Sequence, residues 1–152
     1  MTSVAPADPD SPDARALVAE LDAALAAIAG DSGASSFDAN DVRGARAVFL
    51  LARAADGAPS GCGGLRPLDD HTAEIKRMYA RPGSGAGRVV LAALEAQARA
   101  LGYREVRLST RRVNARALDF YRRHGYVEAP AWGKYVGSVV SVCLGKPLSR
   151  GA

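Results

Sequence analysis

Leu17, Leu21, Leu25 and Ile28 follow one another at intervals of four, four and three, which puts all of them on one face of a helix. That helix is expected over residues 13–29 and stops at Gly30. Residues 1–12 are crowded with Asp and Pro and show no periodicity; they read as a loose segment with a short strand near Val4. Residues 31–41, rich in Ser, Gly, Ala and Asp, read as a loop. The period then shortens. Residues 47–53 are a continuous apolar run closed by Gly57 and Pro59, as in a buried strand. Residues 61–66 form a weaker strand that ends in the turn Pro67-Leu68-Asp69-Asp70. Thr72–Ala80 alternates, with Ile75, Arg77 and Tyr79 on one side and Glu74, Lys76, Met78 and Ala80 on the other. Both sides carry polar groups, so this strand is expected to be only partly buried.

Glycines at 83, 85 and 87 then interrupt the pattern, and a helical period follows over residues 88–101. Val90, Leu91, Leu94, Ala98 and Leu101 form its apolar face, and Gly102 is placed to end it. A strand is expected over residues 106–109. Asn114 can cap a second helix running to about Arg123, with Gly125 after it. Tyr126 and Val127 open another strand, and residues 138–144 make the last one. Helix, three strands, helix, strand, helix, two strands is the order of a mixed α/β or α+β domain. There is no internal repeat or low-complexity linker, and 152 residues fit one domain, here residues 13–148. A chain of this size buries on the order of two-thirds of its surface.

Composition narrows the class. Apolar residues at 48% and charged residues at 24% suit a soluble protein. No apolar run is long enough for a transmembrane helix. The start of the chain lacks the basic and apolar regions of a secretory signal, so a cytoplasmic location and no membrane partner are expected. Cys62, Cys143, His71 and His124 are too few and too scattered for a zinc site, and no metal is expected. The cysteines read as small buried apolar residues and the histidines as exposed polar ones. Charge is unevenly divided. Residues 1–70 hold 5 Lys and Arg against 11 Asp and Glu, and residues 71–152 hold 15 against 5. The basic half suits an anionic partner, a phosphate-bearing cofactor or a nucleic acid, or else solvated arginines on helix faces. No recognition helix or aromatic platform supports a nucleic acid.

The strand–glycine loop–helix unit carries the main chemical signal. The first turn of a helix has free N–H groups and partial positive charge, and glycine lets a ligand approach them. A phosphate or pyrophosphate is expected near residues 85–89, with a plain turn as the bland alternative. A Walker loop would need Lys-Ser/Thr after its last glycine, and none follows here. A dinucleotide fingerprint counted from Gly83 would need glycine where Arg88 stands.

Residues 74–126 resemble the GNAT superfamily of N-acetyltransferases. Gly85-Ala86-Gly87 matches the G-x-G end of that family's loop, and residues 114–126 match its asparagine, small residues, tyrosine and Gly-aromatic pair. The likeness extends over roughly residues 13–148, and the flanks fit the branch of small bacterial acetyltransferases. It implies a central, mostly antiparallel sheet with a V-shaped opening, and acetyl-coenzyme A as co-substrate. It also implies an amine acceptor, which the sequence leaves unnamed, and it admits a homodimer. By resemblance, Met78, Tyr79 and Ala80 would offer backbone groups to the pantetheine arm. Gly85, Ala86, Gly87 and Arg88 would hold the pyrophosphate, and Asn114 would bond the pantetheine or the nearby chain. Tyr121 would protonate the departing thiolate, and Glu74 would act as base. Packing, capping and ion pairing are the bland alternatives for Tyr121, Asn114 and Glu74. The loop is a few residues shorter than the family's, and Pro82 stands where the family places Arg or Gln; Arg81 or Arg88 is expected to compensate. A non-catalytic acyl-coenzyme A binding module and a nucleic-acid binder are the alternative readings. The acidic N-terminal half suggests a cationic acceptor.

Overall fold

Ser11 ends an extended segment, and its hydroxyl accepts the N–H of Ala14; Pro12 fills the first helical position, where a missing N–H costs nothing. So begins α1 (Pro12–Ala29), which closes on Gly30 at φ 75°. The computed structural model describes residues 1–32 and 37–149. The other elements are β1 (Ser3–Pro6), β2 (Val48–Arg53), β3 (Pro59–Pro67), β4 (Thr72–Ala80), α2 (Ala86–Ala100), β5 (Glu105–Arg111), α3 (Ala115–Arg123), β6 (Val127–Glu128) and β7 (Ser141–Pro147). Two 3₁₀ turns lie at Ala39–Val42 and Gly133–Tyr135. Strand order is β1-β2-β3-β4-β5-β7-β6, antiparallel except for the β4–β5 pair. This is the single mixed α/β domain expected from the sequence.

The apolar run of β2 is continuous because both faces of the sheet are covered. Phe49 and Leu51 pack with Ala14, Leu17, Val42 and Cys62 on the α1 face. Leu50 and Ala52 join Val90, Leu91, Leu94 and Leu118 under α2 and α3 on the other. Both cysteines are buried and free.

The short strand expected near Val4 is present: residues 3–6 hydrogen-bond along β2 with Val4 opposite Ala52, so the sheet begins there. Three expectations are corrected. The loop over residues 31–41 contains the start of a 3₁₀ turn, capped by Asp38 and Asp41 reciprocally; residues 33–36 lie outside the described residues. The last strand starts three residues later than the apolar run suggests, because its register is set by pairing with β5 as far as Pro147. Val139 is left 82% exposed. Ile28 is 48% exposed and Leu25 half-buried, since the last turns of α1 run past the sheet.

Candidate active site

A parallel pair of strands holds together only while both keep regular pleat. In β4 the pleat breaks. Between Cys62–Tyr79 and Gly64–Lys76 the register slips by one residue, so β4 carries one more residue than β3 there. Arg77 takes up the difference at φ 54°, a left-handed conformation costly for a side chain of this kind. Its guanidinium, turned toward α1, pairs with Asp22 and donates to the carbonyl of Ser32 at 3.1 Å. Parallel pairing to β5 covers only Thr72–Glu105, Ala73–Val106 and Glu74–Arg107. Beyond Glu74 the two strands part.

The split exposes backbone. Arg81 N–H donates to Ser60 O on β3, so by alternation Tyr79 also faces β3, while Met78 and Ala80 turn their N–H and C=O toward the gap. A cavity of about 370 Å³ occupies the gap. Its walls come from both sides of the sheet. Leu21, Leu25, Phe37 and Tyr135 close it on the α1 side, and Asn114, Ala117 and Tyr121 on the α3 side.

Glu74, Met78, Asn114 and Tyr121 therefore share one cavity. Glu74 is 1% exposed; one carboxylate oxygen accepts from Arg66 at 2.7 Å and the other lies 3.5 Å from Lys76 Nζ. Arg66 and Lys76 place it on the α1 side, whereas its neighbour Ile75 packs into the core under α2. Tyr121 lies on that opposite side, edge-on to Phe120 and Tyr126. Burial pushes its phenol well above the usual tyrosine range, so it stays protonated. No described residue hydrogen-bonds its hydroxyl. Asn114 caps α3 by accepting Ala117 N–H at 3.2 Å and is nearly buried at the cavity wall. The capping role and the wall position coexist.

The glycine loop lies at the end of the same strand. α2 starts two residues earlier than its apolar period suggests, at Ala86, with Gly85 in the left-handed region at φ 70° and no side-chain cap. Among the described residues only Ser84 Oγ reaches the first turn, at Ala86 N–H. The amides of Gly87 and Arg88 point outward from a helix terminus. Gly87 also lets α3 approach, since a Cβ there would touch the Phe120 ring at 3.4 Å.

Two predicted site residues are placed elsewhere. Tyr79 faces α1, and its hydroxyl donates to Glu20 at 3.1 Å. Arg81 turns the same way and makes a forked pair with Glu20, the shortest contact 2.7 Å. Of the two arginines expected to compensate for the short loop, Arg88 is the one left exposed at the helix start. Sequence reasoning missed Arg66, Lys134 and Tyr135. Their signal was faint: Arg66 directly precedes the turn that leads to Glu74, and Tyr135 lies in a stretch with no period. The acids of the N-terminal half do not line the cavity, apart from Asp31, and Asp31 is paired with Arg111 at 2.6 Å. Among the described residues, no three His, Cys, Asp or Glu side chains come together as a metal site, and no helix is long and apolar enough to cross a membrane.

Known proteins share this architecture. A family model described as the acetyltransferase (GNAT) family matches residues 10–126. An IAA acetyltransferase of Azospirillum brasilense is 33% identical over 104 residues, covering 66% of this chain and 67% of that protein. A Klebsiella pneumoniae protein provisionally assigned as an acyl-CoA N-acyltransferase superposes with a TM-score of 0.83 at 30% identity, over 98% of this chain and 99% of that one. A GNAT family acetyltransferase from Elizabethkingia anophelis, solved with acetyl-CoA bound, has the same fold at 16% identity, with a TM-score of 0.71 over 97% of this chain and 98% of its own.

Proposed function

Because the chain belongs to the GNAT acetyltransferase family, we propose that it moves an acetyl group from acetyl-coenzyme A to a primary amine. The observation that carries this reading is the placement of Glu74 and Tyr121 on opposite sides of one split in the sheet. A base and an acid are thereby separated by the gap in which two substrates would meet.

The residues fit the co-substrate. Met78 and Ala80 offer backbone groups along the gap, as a partner strand would require. The uncapped start of α2 offers the amides of Gly87 and Arg88 and partial positive charge to a pyrophosphate. Acetyl-coenzyme A, when bound, supplies an activated acyl carbon.

Each residue then has a task. An amine is protonated near neutral pH and must lose a proton before it can attack. Glu74 accepts that proton through water, with Arg66 and Lys76 fixing the carboxylate. Backbone N–H groups of β4 polarise the acyl carbonyl. The amine nitrogen bonds to the acyl carbon, the C–S bond breaks as Tyr121 gives its proton to the sulfur, and the proton that nitrogen loses in becoming an amide passes back through water to restore the neutral phenol. Burial, by keeping Tyr121 neutral, keeps that proton available.

Titration calorimetry with acetyl-coenzyme A tests the reading first. Micromolar binding, about −8 kcal/mol, together with thiol release in the presence of an amine panel, is the expected result. Binding without thiol release would leave a binding module, and no binding at about a millimolar would remove the pyrophosphate site.

A further inference from the structure

Each charged group that the described residues bring to the cavity wall already has a partner within the protein. Arg77 pairs with Asp22, Arg111 with Asp31, and Glu74 with both Arg66 and Lys76. Lys134 lies over the ring of Tyr135, its Nζ 5.8 Å from the ring centre. A second charge on the acceptor, of either sign, would give up its water here and gain a partner only if one of these contacts opened.

The apolar part of the same wall is in a different state. Leu17, Leu21 and Leu25 continue one stripe of α1. Leu17 packs with Ala14, Phe49 and Cys62 in the core. Further along the stripe, Leu21 and then Leu25 reach the cavity, where Phe37 and Val140 join them. Leu25 and Phe37 are only half-buried, and Val140 is 50% exposed. Leu21, Leu25 and Phe37 stand on the α1 side of the gap, as Glu74 does. A substituent on the amine that Glu74 deprotonates therefore has apolar surface within its reach. Covering that surface releases water, and the gain grows with each methylene of the substituent.

Resting on the acetyltransferase reading above, we propose that the acceptor is a small primary amine whose remaining atoms are apolar and uncharged. Its nitrogen lies at Glu74, and its hydrocarbon part covers Leu25, Phe37 and Val140. Polyamines and amino acids carry a second charge and are poor acceptors, and so are lysine side chains, whose hydrocarbon ends in polar amides.

The test uses amines of similar length that differ at the far end: hexylamine, 1,6-diaminohexane, 6-aminohexanoate and Nα-acetyl-lysine methylamide. Values of kcat/KM are taken per amino group and corrected for the fraction of free amine. Hexylamine is expected to exceed each of the others by at least about tenfold, because only its far end is apolar. It should also exceed butylamine by about tenfold, the effect of two buried methylenes. Leu25→Gln should cut that last preference to about threefold and Leu25→Met should keep it, with coenzyme A binding confirming that both variants are folded. Calorimetry on the enzyme with coenzyme A gives a readout independent of turnover, in which N-acetylhexylamine is expected to bind about tenfold tighter than N-acetylbutylamine. Equal or better use of any of the three polar-ended amines, or equal binding of the two products, overturns the proposal while the acetyltransferase reading stands. Absence of thiol release with every amine overturns both.

Discussion

Tyr121 shows how one residue serves packing and chemistry together. It is 8% exposed, stacked edge-on to two rings, and still on the cavity wall. Tyr121→Phe keeps the packing and removes the proton, so kcat should fall by about a hundredfold with KM for acetyl-coenzyme A little changed; steady-state kinetics checks this. Cys62 has a different consequence. Burial, chiefly, pushes its thiol up to about 12, with the charge of Glu20 adding to the shift. The folded chain thus keeps a proton that the unfolded chain loses near pH 8.5. Stability is complete below that value and declines as pH rises toward 12, and the raised phenols of Tyr121 and Tyr126 extend the loss at higher pH. Urea denaturation should show about 2 kcal/mol less stability at pH 10 than at pH 7.5, and Cys62→Ala should flatten this slope.

Among the elements, β4 and its partner β3 set the shape of the site. The bulge at Arg77 ends the parallel pairing, and small residues in β3 let α2 lie close to the sheet. A Cβ on Gly61 would stand 2.9 Å from the carbonyl oxygen of Tyr79 and 3.0 Å from Ala86 Cβ. Neither is the end of a flexible side chain. Gly61→Ala should therefore cost about 1–3 kcal/mol in urea denaturation and weaken acetyl-coenzyme A binding, because it pushes the start of α2 away from β4. The sequence marked both strands and the helix, but it could not show that one residue of β4 is extra. Bulges depend on the partner strand, and Arg77 fits the alternating pattern as well as any neighbour.

Across the whole molecule, α2 is fastened to the far half of the sheet by a buried polar cluster. Glu95 accepts from Tyr126 Oη at 2.8 Å and from Lys146 Nζ at 3.0 Å. Glu95→Ala would strand both donors, so about 2 kcal/mol of stability and about 5 °C in Tm should be lost, read by calorimetric unfolding. The division of charge along the chain also resolves at this scale. Acids of the first half pair with cations of the second, as Asp22 does with Arg77, Glu20 with Arg81 and Asp31 with Arg111. These three acids form a seam between α1 with its following loop and β4–β5, while Asp8, Asp10 and Asp13 pair with Arg43 and Arg53 of their own half.

The sequence by itself determined the order of elements, the domain class and the strand–glycine loop–helix unit, because periodicity, caps and glycines act within a few residues of one another. It also marked Glu74, Met78, Asn114 and Tyr121, which share the cavity, through two short motifs. Tertiary structure alone decided which faces those residues occupy, that Tyr79 and Arg81 turn to Glu20, and that Lys76 and Lys134 meet at one ring. The short strand near Val4, marked in the sequence, was given its partner in the same way, by the open side of β2. Each of these depends on contacts between residues far apart in the chain, where pairing partners, and not local pattern, set direction and charge.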